Sequence, residues 1–209
     1  MSLKFPVSLV GKRALSGGDV PFATSLYDSG ENLLVSIETD IPANWNDNNT
    51  PYNATRLEIG TSCTSIGLEA FQNCTNLTGD LVIPNSVTSI ASYAFSYCYS
   101  LTSLTIGNSV TTIESYAFSY CGFTGPLVIP SSVTNISSYS FFYNSLLTTA
   151  YLAPPLASVG SYAFQNCSSL TTVYAKDAVA NGWTLGADQI VGGKYGVTVI
   201  DWTNYPNVP

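Results

Sequence analysis

The chain of 209 residues contains no histidine and one methionine, and only 9% of its residues are charged. Without histidine it lacks the commonest general base and metal ligand at neutral pH. Lysine and arginine total six. From Leu57 to Ala175 there is neither, and the acids in that stretch are Glu58, Glu69, Asp80 and Glu114. A net charge of −7 with no basic patch argues against nucleic acid as a partner, since that binding rests on Lys and Arg neutralising phosphates. No apolar run approaches the ~20 residues of a spanning helix, so membrane insertion is not expected. The first residues, MSLKFPVSLVGKRALSGG, have no uninterrupted apolar segment with a cleavage site behind it. They do not read as a signal peptide. Export by that route is not expected, although lysis of a host would still deliver the chain outside.

What the chain does have is a period. Phe71, Phe95, Phe118, Phe141 and Phe164 follow one another at intervals of 24, 23, 23 and 23 residues. The stretch Leu101 to Cys121, LTSLTIGNSVTTIESYAFSYC, gives the template L-x-x-L-x-I-x-x-x-V-x-x-I-x-x-x-A-F-x-x-C. A unit of this length cannot bury its apolar face alone, so the pattern predicts a solenoid of stacked coils. Strand alternation places Leu57/Ile59, Leu81/Ile83, Leu104/Ile106, Leu127/Ile129, Ala150/Leu152 and Val173/Ala175 inward. The pairs Val87/Ile90, Val110/Ile113 and Val133/Ile136, spaced i, i+3, fit a tight turn or helical turn. Cys63/Ile66 and Leu156/Val159 take the same slots. The single 24-residue interval points to an insertion at or beside Gly79.

Residues 1–55 fall outside the period and read as an N-terminal cap with an anchor segment. Within them Leu33–Ile41 alternates as a strand, and the polar run from Asn44 to Tyr52 reads as a linker. Residues 56–175 hold five to six repeats. Residues 176–209 read as a C-terminal cap, in which Val197–Ile200 is the last strand and Trp183 and Trp202 are large enough to close the core. A cap is needed because an end coil otherwise exposes apolar surface and strand edges.

Four cysteines, Cys74, Cys98, Cys121 and Cys167, share one template slot, which points them the same way rather than around a metal. Neighbouring coils, ~4.8 Å apart, lie within disulfide reach. The cysteine count of five is odd, however, and the slot accepts Asn144, so buried free thiols are expected. No cofactor is expected. Two tyrosine ladders emerge, Tyr93, Tyr116, Tyr139 and Tyr162, and Tyr97, Tyr120 and Tyr143. They are expected to stack along the convex side in place of charges. The outward strand positions read Glu58, Val82, Thr105, Val128, Tyr151 and Tyr174, flanked by Pro84 and Pro130. An apolar and aromatic row is unusual on a solvated sheet face, although Val and Tyr also suit strands as such. Val82, Thr105, Val128, Tyr151 and Tyr174 are the candidate binding residues.

The segments LVIPNSVTSIASYAFSYC (Leu81–Cys98) and LVIPSSVTNISSYSFFYN (Leu127–Asn144) resemble the BspA-like class of leucine-rich repeats, with its 23-residue unit and its I-P-x-S-V-x-x-I and A-F-x-x-C signatures. The resemblance covers residues 57 to about 175. Ser140, Asn144, Thr124, Gly107 and Ala153 depart from the pattern without breaking its phase. It implies a leucine-rich-repeat solenoid with a parallel β-sheet on the concave face and short turns or helical turns on the convex side, capped at both ends. It also implies non-catalytic adhesion or assembly, because such repeats occur in bacterial surface adhesins and in phage virion proteins. The expected partner is a protein or glycan on a host or particle surface. The expectation here is a virion component, docked to a capsid or tail protein through residues 1–30, with a bacterial cell-surface adhesin as the alternative.

Overall fold

The computed structural model of the chain describes residues 24–27, 29–30, 33–37, 41, 54–153, 158–175, 186–191 and 193–201. Two sets of parallel strands recur once per coil. The first set is β3 (Arg56–Glu58), β5 (Gly79–Val82), β7 (Leu101–Thr105), β9 (Leu127–Ile129), β11 (Thr149–Leu152), β13 (Thr172–Ala175) and β15 (Lys194–Asp201). The second is the two-residue strands β4 (Ser65–Ile66), β6 (Ser89–Ile90), β8 (Thr112–Ile113), β10 (Asn135–Ile136) and β12 (Ser158–Val159), which form one continuous parallel sheet. The i, i+3 apolar pair thus ends on a strand residue: Ile66, Ile90, Ile113 and Ile136 are buried. No helix occurs among the described residues, so of the two expected forms for this side the turns are the ones present.

The A-F-x-x-C segment supplies a third ladder, made of turns. Tyr93, Phe95 and Tyr97 donate their N–H groups to the carbonyls of Ser115, Ala117 and Ser119 one coil on, at 3.0, 2.8 and 2.9 Å. The alternate residues close turns within the coil, Ala94 to Ala91, Ser96 to Tyr93 and Cys98 to Phe95. Backbone donors are thereby satisfied without regular secondary structure, as burial demands. The five template phenylalanines are fully buried and stack at 5.0, 5.5, 5.4 and 5.4 Å between centroids, forming the spine of the core.

All five cysteines are free and buried. The thiols of Cys98, Cys121 and Cys167 donate to the carbonyls of Phe71, Phe95 and Phe141, one coil back, at 3.1, 3.3 and 3.2 Å. Asn144 fills the slot by donating its amide to the equivalent carbonyl, Phe118 O, and to Phe141 O, each at 2.8 Å. The slot requires a buried donor, and that requirement unites Cys with Asn. Burial pushes all three thiols up, Cys167 to about 12 and Cys98 and Cys121 well above their ordinary value.

Irregularities of the first ladder follow from local sequence. The register shift falls at Gly79/Asp80, where the 24-residue interval lies, and Gly79 takes a φ of 77°. Hydrogen-bonded pairing is interrupted between β7 and β9. At the C-terminal end Thr198 N donates to Thr171 O; the same slot in the fourth coil is Pro126, which has no N–H. Thr102 O accepts from Thr124 N instead, at 3.0 Å. Phe123, buried against Phe118 at 6.2 Å, replaces the leucine expected at Thr124, which is exposed.

The ends are closed by antiparallel strands. β1 (Thr24–Tyr27) pairs with β3 on one edge and with β2 (Leu33–Ile37) on the other. Leu26 is fully buried, and Ile41 continues the second ladder by bridging Ile66. Part of residues 1–30, read from the sequence as the docking segment, thus belongs to the cap. Thr24–Tyr27 is the strand that covers the edge, and residues 1–23 lie outside the described residues. At the other end β15 pairs in parallel with β13, Val173 opposite Val199, and β14 (Gly186–Val191) closes it antiparallel. The last strand was expected at Val197–Ile200, with Val197 in the place Val199 occupies; the shift of two keeps the same residues inward. Trp183 and Trp202 lie outside the described residues.

Candidate binding face

The outward positions of the first-strand ladder fall on one face, as alternation requires. Val82 is paired opposite Thr105, and Val128, Tyr151 and Tyr174 are paired in succession. The interruption between β7 and β9 therefore divides the row into two short runs. Val82, 54% exposed, and Thr105 are the open end; Val128, Tyr151 and Tyr174 are half-buried. The rings of Tyr151 and Tyr174 stack at 4.7 Å, 9° from parallel. Glu58 does not extend the row as a free carboxylate. The Tyr27 hydroxyl donates to it at 2.9 Å, Arg56 pairs with it, and the Arg56 guanidinium lies 3.8 Å over the Tyr27 ring. Burial, reinforced by Glu58, pushes Tyr27 up.

Two features of this face went unread in the sequence. Ile200 pairs opposite Tyr174 and continues the row into the cap. The positions two residues earlier, Asp80, Ser103, Pro126, Thr149, Thr172 and Thr198, fall on the same side, and all but Pro126 are polar, so a polar row broken at the fourth coil lies beside the apolar one. Ser103 donates to Asp80 at 2.6 Å within it. The signal was present as an i−2 spacing in each strand.

The turn side carries more aromatic surface. Tyr93, Tyr116, Tyr139 and Tyr162 stack at 4.8, 4.7 and 5.0 Å. Tyr97, Tyr120 and Tyr143 stack at 4.6 and 4.8 Å. Phe142 joins the ladders edge-on, 5.3 Å from Tyr120 and 5.5 Å from Tyr139. Burial, then neighbouring tyrosines, pushes Tyr116 and Tyr120 up, so these phenols stay protonated donors. Hydroxyls also finish the corners: Thr88, Thr111 and Thr134 donate side-chain O–H groups to Thr64, Thr88 and Thr111 carbonyls. A chain with so few charges is wetted in this way. Among the described residues no three His, Cys, Asp or Glu side chains gather as a metal site would need, and no helix is long and apolar enough to cross a membrane.

The model of the BspA type leucine-rich repeat region matches residues 64–181 in six copies, more than half of the chain. The chain belongs to this BspA-type family. Among solved structures, a leucine-rich repeat protein from Bacteroides ovatus is similar at 24% identity and a TM-score of 0.52, over 56% of this chain and 30% of that one. A leucine-rich cell surface protein from Faecalibacterium prausnitzii shares 30% identity with a TM-score of 0.44, over 56% of this chain and 40% of that one. The chain thus spans well under half the length of either. The first similarity supports the fold and nothing finer. No curated protein matches the chain.

Proposed function

We propose that this BspA-type chain is a non-catalytic adhesion module of a bacterial surface, and that the first-strand face is where it holds its ligand. The observation that carries the reading is the row Val82, Thr105, Val128, Tyr151 and Tyr174. It lays apolar and aromatic groups along an outward sheet face, with hydroxyls in a second row beside them. Aromatic anchors such as Tyr, set within a polar margin, are how protein-binding surfaces are built. The polar row would serve a protein or glycan ligand alike. Family membership supports bacterial-surface placement better than the virion placement. The latter drew on residues 1–30 as an anchor to a capsid or tail protein, and of those Thr24–Tyr27 belong to the cap.

The test is binding of the purified chain to immobilised matrix proteins and to an array of glycans. Tyr151→Ser/Tyr174→Ser should weaken the captured ligand by about tenfold or more while the melting temperature stays within a few degrees. Unchanged binding by that variant would remove the first-strand face from consideration. Fractionation of the producing cells decides placement: the chain should sediment with the envelope, and recovery only in phage particles would restore the virion reading.

A further inference from the structure

The turn-side tyrosines are not explained by the fold. Among the described residues ten non-glycine positions have φ between 55° and 63°, and seven of them are tyrosine. This left-handed region disfavours bulky side chains and suits Asn. The structure uses Asn where the ladder ends: Asn73 and Asn166 hold the Tyr97/Tyr120/Tyr143 slot in the first and last coils, at a φ of 61° each. The backbone therefore accepts the locally favoured residue, yet the central coils carry tyrosine against local preference. Such a conflict marks a functional surface. The plate is also bounded. Glu69 precedes Tyr93 in one ladder, and Asn73 and Asn166 flank the other.

We propose that this plate is a self-association surface, and that its occupant is the same plate on a second copy of this chain, related by a twofold axis. Three arguments select that partner. The rings stack face to face along the solenoid at 4.6–5.0 Å, so edges and hydroxyls, not ring faces, meet solvent. Carbohydrate stacking on aromatic faces is thereby disfavoured. Each phenol is both donor and acceptor, so a row of them complements an identical row, as an isologous interface requires. The partner row must share the coil repeat, and a second copy does so automatically. Phe142, between the ladders, supplies the apolar centre. This surface is separate from the first-strand face and does not rest on the adhesion reading.

Sedimentation velocity and light scattering on the purified chain test the proposal. The expected species is a dimer that persists in high salt, since no ion pairs hold it. Tyr97→Asn/Tyr120→Asn/Tyr143→Asn puts into each coil the residue its neighbours Asn73 and Asn166 already use, and should weaken dimerisation by at least about tenfold with an unchanged far-ultraviolet spectrum. Should that variant fail to fold, Phe142→Gln, the residue present at Gln72 and Gln165 in the same slot, should weaken it likewise. A monomeric parent chain, or a folded variant that dimerises as the parent does, overturns the proposal.

Discussion

At the level of single residues the chain is governed by one repeated need, a donor for a buried carbonyl. Cys98, Cys121 and Cys167 each meet it with a thiol, and Asn144 meets it with an amide whose own oxygen is buried with no hydrogen-bond partner among the described residues. Asn144→Asp would replace the donor by a carboxylate facing Phe118 O and Phe141 O. It should cost about 3 kcal/mol or more, measured by denaturant unfolding; a loss below 1 kcal/mol would show that the slot does not need a donor. The thiols carry a pH signature as well. Their folded values are raised, so their contribution is fully present below the unfolded thiol value, about 8.5, and is lost as pH rises above it. Stability should therefore fall from about pH 8.5 toward the value of about 12 reached by Cys167. A thiol reagent should label few cysteines natively and all five after unfolding, and reductant should leave the melting temperature unchanged. A large drop on reduction would reveal disulfides instead. That the slot takes Cys and Asn alike was plain in the sequence. The reason was not, because the acceptor lies 26 or 27 residues away.

Among the elements, those inside the period were the legible ones. Alternation around Leu81 and Leu127 gave strand and inward face together, and Phe71 to Phe164 marked the core. Phe118 lies in the middle of that stack, within 5.5 Å of Phe95 and 5.4 Å of Phe141, and is tilted against Phe123 at 6.2 Å. Phe118→Ala should cost about 3–5 kcal/mol. Because coils couple chiefly to neighbours, the amides of β7 and β9 should lose hydrogen-exchange protection before those of β13; equal protection across the array would contradict the register. The break between β7 and β9 was harder to foresee. Pro126 keeps the 23-residue spacing while removing a ladder donor, and only the pairing pattern shows which side that donor would have faced. The candidate face was half legible for the same reason: its residues were identified, but not its division in two, nor its extension to Ile200, whose register is set by the cap rather than by the repeat.

For the whole molecule the decisive pieces are the ends. A solenoid propagates its strand edges, so its stability and solubility depend on what closes them. Here both closures are antiparallel, β1 on β3 and β14 on β15, and neither belongs to the repeat. Periodicity could therefore locate where the caps begin but not which strand touches the first coil. The cap strand also carries chemistry, since Tyr27 and Arg56 engage Glu58 and the buried Leu26 pairs opposite Leu57. Deleting residues 1–37 removes β1 and β2 together and leaves the β3 edge open. The truncated chain should lose protection in β3 and β4 and associate through that single open edge, since β14 still closes the other end. That association is distinguishable from a face-to-face dimer by its survival in Tyr97→Asn/Tyr120→Asn/Tyr143→Asn. Deleting only residues 1–20 should leave β1 in place and the melting temperature within a few degrees. If the longer deletion left a soluble chain with β3 still protected, the first coil would be self-sufficient and the antiparallel pair would not be its cap.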